Sequence, residues 1–465
     1  MLLAAVVALL AAHAPDPGAR AILDSAIARM GGAEALRIVD RVQLQVMTEW
    51  QRTDFDSRRA PVILSYELST ELRDYTIPAW RYSRRFFSPN GTAEVIDIVT
   101  DSVAAMGMNG RWRPQSVAYV DERDEVFTFT PERLVRLARD AADARSLADT
   151  LIDGTRYARI VATIGRFQPT LHFRRSDGLL AVARFRAAQP NDFGLAPWGT
   201  MEVTIAYSRW QKLPEAHLTL PMQLDVSRVG RPYKRMTTIS MKVNPIIPAD
   251  SFAIVDSLRA AHIARERRPM FDLPIDSARI VEGSFAVFGA PGTPLGAVKI
   301  GGRWVLIEAG TAPLSVERSV AFLRRVEPNV PLEAALVTAP AAAGGIAWLV
   351  QQPMTTWATS ASLPFVEAAL RGWPTHGPAP RPVRTDRWLK LNGDSLRVET
   401  IDLPDYPGTT VIYVPSLRWA YAYPAGPVQM DYLIAHARRR GWQVDRIGSV
   451  RGFIGMPIPG AAASR

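Results

Sequence analysis

The chain has 465 residues, a length that at roughly 100 to 200 residues per domain allows two to four domains and excludes a single small module. Hydrophobic residues make up 48%, charged residues 22% and aromatic residues 9%, the mixture of globular protein rather than of a disordered, collagen-like or multi-span membrane chain. The lack of cysteine excludes disulfides, iron–sulfur clusters, zinc ribbons, a thiol nucleophile and a lipidated cysteine, and leaves six histidines for metal chemistry.

The formal charge is +10, from 55 basic and 45 acidic residues. Only Lys212, Lys234, Lys242, Lys299 and Lys390 are lysines, and the arginines are spread along the whole chain without a continuous basic stripe. No nucleic-acid motif accompanies them, so the excess fits the coding bias of a GC-rich genome and predicts no nucleic-acid partner.

Met1 to Ala12 reads MLLAAVVALLAA, an apolar run of signal-peptide length and well short of the ~20 residues that cross a bilayer. Ala12-His13-Ala14 offers a small-x-small cleavage site, although Pro15 follows it and no basic residue precedes the run. A buried N-terminal helix is the other reading. Residues 1–14 are expected to be a signal peptide, and the protein to be periplasmic or secreted with no integral membrane span.

Beyond the leader, Leu23, Ala26, Ile27 and Met30 recur at helical spacing, Gly31-Gly32 ends that helix, and a short second helix follows over 33–38. The period then changes to two, with Val42, Leu44 and Val46 alternating with Gln43, Gln45 and Met47. Further strands are predicted near 62–68, 80–88, 93–100, 157–164, 170–174, 179–186, 201–207, 222–226 and 236–243. Asn90-Gly91, Asp177-Gly178 and Gly230 to Pro232 supply turns between them, and one helix, opened by Thr130 and Pro131, interrupts the series. Residues 17–265 therefore read as a helix-flanked, mostly antiparallel sheet.

The charged, proline-bearing stretch RERRPMFDLPID places a linker at about 266–278. After it, strands near 298–300, 304–308, 334–338, 395–401, 409–414 and 419–423 are interspersed with helices near 316–326, 345–351, 363–372 and 428–440. That pattern predicts an α/β layer sandwich over 279–460.

The segments IARMGGAEALRIVDRVQLQV, TLHFRRSDGLLAVARF and LPMQLDVSRVGRPYKRMTTISMKVNPIIPADSFAI resemble the curved-sheet domain of periplasmic lipoprotein carriers. The resemblance implies a half-barrel whose concave face holds a small apolar ligand; the abundant aromatic residues there would equally fill a core. The second half resembles the metallo-β-lactamase superfamily through GAVKIGGRWVLIEAG, SVERSVAFLRRVEPNVPLEAALVTAPAAAGG and TTVIYVPSLRWAYAYPAG. Together they imply an α+β two-domain fold, an antiparallel half-barrel followed by an αββα sandwich.

Active members of that superfamily carry Thr-His-x-His-x-Asp-His shortly before Gly-Gly, where imidazoles and a carboxylate fix zinc and leave a position open for water. This chain reads Thr338, Ala339, Pro340, Ala341, Ala342, Ala343, Gly344, Gly345. Ala339 and Ala341 stand at the first two histidine positions and Ala343 in what remains of the Asp-His part. The later ligand positions fall on Asp405, on Tyr423 or Pro424, and on Arg451.

The resemblance thus implies a degenerate site with no metal, no catalytic residue and no cofactor. His376 and His436 are too far apart in sequence to share a helix face and read as solvated, and His172 and His217 read as structural. No serine-nucleophile elbow, phosphate loop, dinucleotide-binding turn or zinc-protease helix replaces the lost motif. The expectation is an exported pseudoenzyme acting as a binding or scaffold module for a small apolar ligand or a protein partner. The rivals are a hydrolase with an atypical site built around His376, Asp402 and Asp405, and an apolar-ligand carrier working through the first domain. Limited trypsin digestion is expected to cut first among Arg265, Arg267 and Arg268; first cuts inside either domain would refute the boundary.

Overall fold

The computed structural model describes residues 16–51, 65–88, 91–115, 118–188, 200–228, 230–248, 250–266, 279–281, 284–287, 295–310, 313–339, 342–371, 377–404, 406–423, 427–449 and 453–457. The expected leader and most of the expected linker lie outside them. One compact unit is built from Met1–Gln51, Ile63–Ala187 and Glu202–Arg267, and a second includes Arg268–Arg465. Among the described residues no helix is long and apolar enough to cross a membrane.

In the first unit, helix α1 (Pro17–Arg29) starts where the Asp16 carboxylate accepts the Gly18 amide at 2.8 Å, and it buries Ala19, Leu23, Ala26 and Ile27. Helix α2 (Ala33–Arg37) follows. The strands β1 (Arg41–Trp50), β2 (Ser65–Asp74), β3 (Ala79–Ser88), β4 (Gly91–Val99), β5 (Ala104–Met108) and β6 (Arg111–Pro114) then run as a meander. Helices α3 (Ala118–Phe129) and α4 (Pro131–Asp140) lead to a second meander. Its strands are β7 (Arg145–Ile152), β8 (Thr155–Val161), β9 (Thr170–Arg174), β10 (Leu180–Ala188), β11 (Thr200–Leu213), β12 (Leu218–Arg228) and β13 (Arg231–Val243). Helix α5 (Asp256–Glu266) ends the unit.

All thirteen strands share one sheet in the order β6-β5-β4-β3-β2-β1-β13-β12-β11-β10-β9-β8-β7. Helices α3 and α4 lie over one face of it: the Tyr207 hydroxyl donates to the Phe129 carbonyl at 2.8 Å, and Phe127 packs with Trp80 and Tyr82. In this unit the sequence reading missed α3, α5, β5, β6 and β7. The edge strand β7 is wet on both faces and β5 is uniformly apolar, so neither shows the alternation of a half-buried strand. Helix α3 carries acidic and basic residues through most of its length, which hides its apolar stripe.

The buried face of β2 is Ser65, Glu67, Ser69, Glu71 and Arg73, a polar row inside the sheet. Part of its charge is paired. Arg73 meets Glu71 at 2.6 Å, the Trp80 indole donates to Glu71 at 3.2 Å, and on neighbouring strands Arg84 meets Asp97 at 2.8 Å.

Among the described residues the second unit contains two sheets. The strands β14 (Arg279–Val281), β15 (Phe285–Val287), β16 (Gly296–Ile300), β17 (Arg303–Ile307), β18 (Leu332–Val337), β19 (Thr355–Thr359) and β20 (Arg381–Val383) pair in chain order, parallel from β17 onward. The other sheet is β21 (Arg387–Leu391), β22 (Asp394–Leu403), β23 (Tyr406–Val414), β24 (Trp419–Ala422), β25 (Arg446–Ser449) and β26 (Phe453–Pro457), with β24 and β25 parallel. Helices α6 (Pro313–Val326), α7 (Ile346–Leu349) and α8 (Leu363–Arg371) pack Val316, Val320, Ile346 and Val366 on the outer face of the first sheet. Val298, Val305, Ile307 and Leu336 meet Leu396, Val398, Ile412 and Trp419 between the sheets. Helix α9 (Pro427–Arg439) covers the far side through Leu433.

The fully buried Trp419 indole lies against the backbone of Gly448 on the adjoining strand, where an added Cβ would stand 2.5 Å from the ring. Gly448→Ala is expected to destabilise the protein by about 1–3 kcal/mol through overpacking, measured by urea unfolding; an unchanged midpoint would show that the ring moves freely.

Candidate functional site

Strand β17 is a continuous apolar run, Trp304 to Ile307, and the next residue is Glu308. The Glu308 side chain is fully buried at the carboxyl ends of the parallel strands. Its backbone sits in the left-handed region at φ +73°, a conformation that a residue with a long side chain adopts only when its surroundings impose it.

Those surroundings are the loop after β18 and one tyrosine of the facing sheet. One Glu308 oxygen accepts the amides of Thr338 at 2.9 Å and Ala339 at 3.3 Å; the other accepts the Thr338 hydroxyl and, at 3.2 Å, the Tyr421 hydroxyl. Four donors therefore meet the acceptor positions of one carboxylate. Burial nonetheless pushes its pKa up to about 7, against the pull of these hydrogen bonds.

The loop is braced elsewhere by backbone bonds. Ala309 donates to Ala342 at 2.8 Å, Gly345 to Ala309 at 2.9 Å and Gly344 to Gly310 at 3.1 Å. Thr359 donates its hydroxyl to the Thr338 carbonyl at 3.2 Å.

At the expected ligand positions, Ala339 and Tyr423 come together with Ala342 in a small buried apolar cluster. The Ser449 hydroxyl donates to the Tyr423 carbonyl at 3.0 Å. Ala343 faces the helix-side core with Val316, Val320 and Ile346 instead. Ala341, Asp405 and Arg451 lie outside the described residues. Methyl groups and a single tyrosine cannot supply the three or four ligands that zinc needs, and the adjacent carboxylate is committed to the loop, so these residues do not fit a metal. Among the described residues, no three of His, Asp and Glu converge as ligands would.

The remaining candidates are spread apart. Asp402 accepts the Gly408 amide at 2.8 Å across the β22–β23 turn, while Asp405 and His376 lie outside the described residues. His436 is not the solvated side chain expected from its helix position. Its Nε2 lies 3.1 Å from Glu399, a carboxylate that also accepts from Arg440 at 2.8 Å, and burial lowers the imidazole's pKa. His172 is buried and held neutral, its pKa lowered to about 4 by burial, and the buried His262 places Nδ1 2.8 Å from the Gln115 carbonyl. A shallow groove of about 340 Å³ between Pro328, Leu332 and Met354 carries one arginine and one glutamine, with no acid–base pair for chemistry.

Sequence reasoning missed Glu308 because it looked like the last residue of a strand. The available signal was a lone acid closing an apolar run just before Ala309-Gly310.

No family model matches the chain, and no curated protein matches it. Among solved structures it is similar to an outer-membrane lipoprotein-sorting protein domain from Vibrio parahaemolyticus, at 6% identity and TM-score 0.32 over 50% of this chain and 95% of that one. A LolA-superfamily protein from Nitrosomonas europaea gives 13% identity and TM-score 0.32 over 51% and 97%. A metallo-β-lactamase from Pontibacter korlensis gives 14% identity and TM-score 0.30 over 38% and 92%. These likenesses are to two kinds of solved structure, lipoprotein-sorting proteins and a metallo-β-lactamase.

The raised pKa of Glu308 has a signed consequence. Between about 4.5 and about 7 the folded chain keeps a proton that the unfolded chain has released, so this residue's contribution is full at low pH and is lost as pH rises through about 7. Across that window it amounts to on the order of 3 kcal/mol. Glu308→Gln is expected to flatten this part of the stability–pH profile in urea unfolding of the full chain; an unaltered slope would contradict it.

Proposed function

We propose that this protein is an exported, non-catalytic binding or scaffold module, in which a metallo-β-lactamase-like domain without metal ligands follows a carrier-like half-barrel. The observation that carries the reading is the apolar cluster in which Ala339 and Tyr423, at positions where the resemblance implies metal ligands, pack with Ala342 beside a carboxylate engaged in holding the loop. Hydrolysis in such a fold needs a metal-polarised water, and alanines with a single tyrosine cannot hold the metal that supplies one. On this reading the site residues keep a loop closed around an apolar plug, and the surfaces above it serve recognition.

A second reading, ligand carriage by the first domain, is favoured by the helix-covered face of its sheet, where β1 presents Val42, Leu44 and Val46 beside the polar row of β2. Such a face suits a ligand with both an apolar and a polar part.

Elemental analysis of untagged, full-length protein tests the leading reading. It is expected to show no stoichiometric zinc, manganese or iron, and added zinc or a chelator is expected to leave the thermal midpoint in place. Saturating a real site at about 100 times its Kd would add about 2.7 kcal/mol, well within detection. One equivalent of tightly held metal, or metal-dependent cleavage of a lactam or ester, would overturn it.

A further inference from the structure

The pairing of β1 with β2 sets three buried oxygens side by side. Thr48 Oγ1, Ser65 Oγ and Glu67 Oε1 are sealed from solvent and have no hydrogen-bond partner among the described residues. The residues are 1%, 3% and 1% exposed. Thr48 lies directly opposite Glu67, and Trp50 directly opposite Ser65, so all three side chains leave one face of the sheet at neighbouring positions, about 5–7 Å apart at Cβ. Buried polar groups are nearly always paired, so three unsatisfied ones in adjacent positions call for a partner.

The surrounding charges select its chemistry. The other Glu67 oxygen accepts the Trp50 indole N–H at 3.4 Å and lies 3.7 Å from the Arg84 guanidinium. Lys234 Nζ sits 5.3 Å over the Trp50 ring. A cationic ligand would meet Arg84 and Lys234, and an anionic one would meet the Glu67 carboxylate. Two hydroxyls and a carboxyl oxygen instead suit neutral groups that both donate and accept, namely hydroxyls. Burial, which pushes Glu67 up to about 7, makes a neutral partner still more favourable than a charged one.

We propose that Thr48, Ser65 and Glu67 form a recognition site for a neutral, hydroxyl-rich group, a sugar or polyol carried as the polar end of an amphiphile. The proposal rests on the reading that the helix-covered face of the first domain is a ligand surface, and it adds the class of head group.

The test is calorimetric titration of the full-length protein with octyl glucoside below its micelle concentration, with octanoate, and with octylammonium. The glucoside is expected to bind at least ~10-fold more tightly than the two charged amphiphiles of equal chain length. The double substitution Thr48→Val with Ser65→Ala is expected to weaken glucoside binding by at least ~10-fold while leaving the charged amphiphiles unaffected. Glu67→Gln, which keeps an acceptor oxygen, is expected to weaken it less, and it stands in if the double variant does not fold. Equal affinity for the three amphiphiles, or undiminished glucoside binding in the variants, overturns the hydroxyl site and leaves the ligand-surface reading intact. No binding of any amphiphile overturns both.

Discussion

A carboxylate removed from water must find donors, and in the second domain the donors that Glu308 finds belong to the loop at the expected metal position and, for one hydroxyl, to Tyr421 of the facing sheet. The exchange works in both directions. The amides of Thr338 and Ala339 and two hydroxyls satisfy the acid, and the acid fixes the direction in which the chain leaves β18. A left-handed glutamate is costly by itself, by about 1–2 kcal/mol, and here the loop bonds offset that cost. The alanines that follow are small enough for the loop to close on Tyr423 without an ion between them.

Much of this architecture was legible from the order of hydrophobic residues. The alternation of Val42, Leu44 and Val46 marked β1, the helix expected near 316–326 is α6, and Thr170 to Arg174 were read with the bounds they have as β9. These elements bury one regular face against a core, so their period survives in the sequence. The alanines at Ala339, Ala341 and Ala343 were legible for a different reason, as departures from a ligand motif in an otherwise recognisable frame.

What escaped reading depends on partners distant in sequence. Glu308 and Tyr421 are more than a hundred residues apart, and nothing local to either announces their hydrogen bond. His436 looked solvent-facing because its helix gave no sign of Glu399, which comes from another strand. On β2 the alternation was present, yet its buried positions are Ser65, Glu67, Ser69, Glu71 and Arg73, so a reading that equates burial with apolarity assigns the wrong face to the interior.

The order of the thirteen strands also bears on how the first domain is assembled. Every neighbour in the sheet is a neighbour in sequence except β1 and β13, whose pairing joins Val42 to Val243. Two meanders thus have mostly local contacts, and a single seam between them closes a loop of about 200 residues. Contact order is concentrated at that seam. The entropy of closure is met there once, while the hairpins on either side form from partners that the chain already holds close.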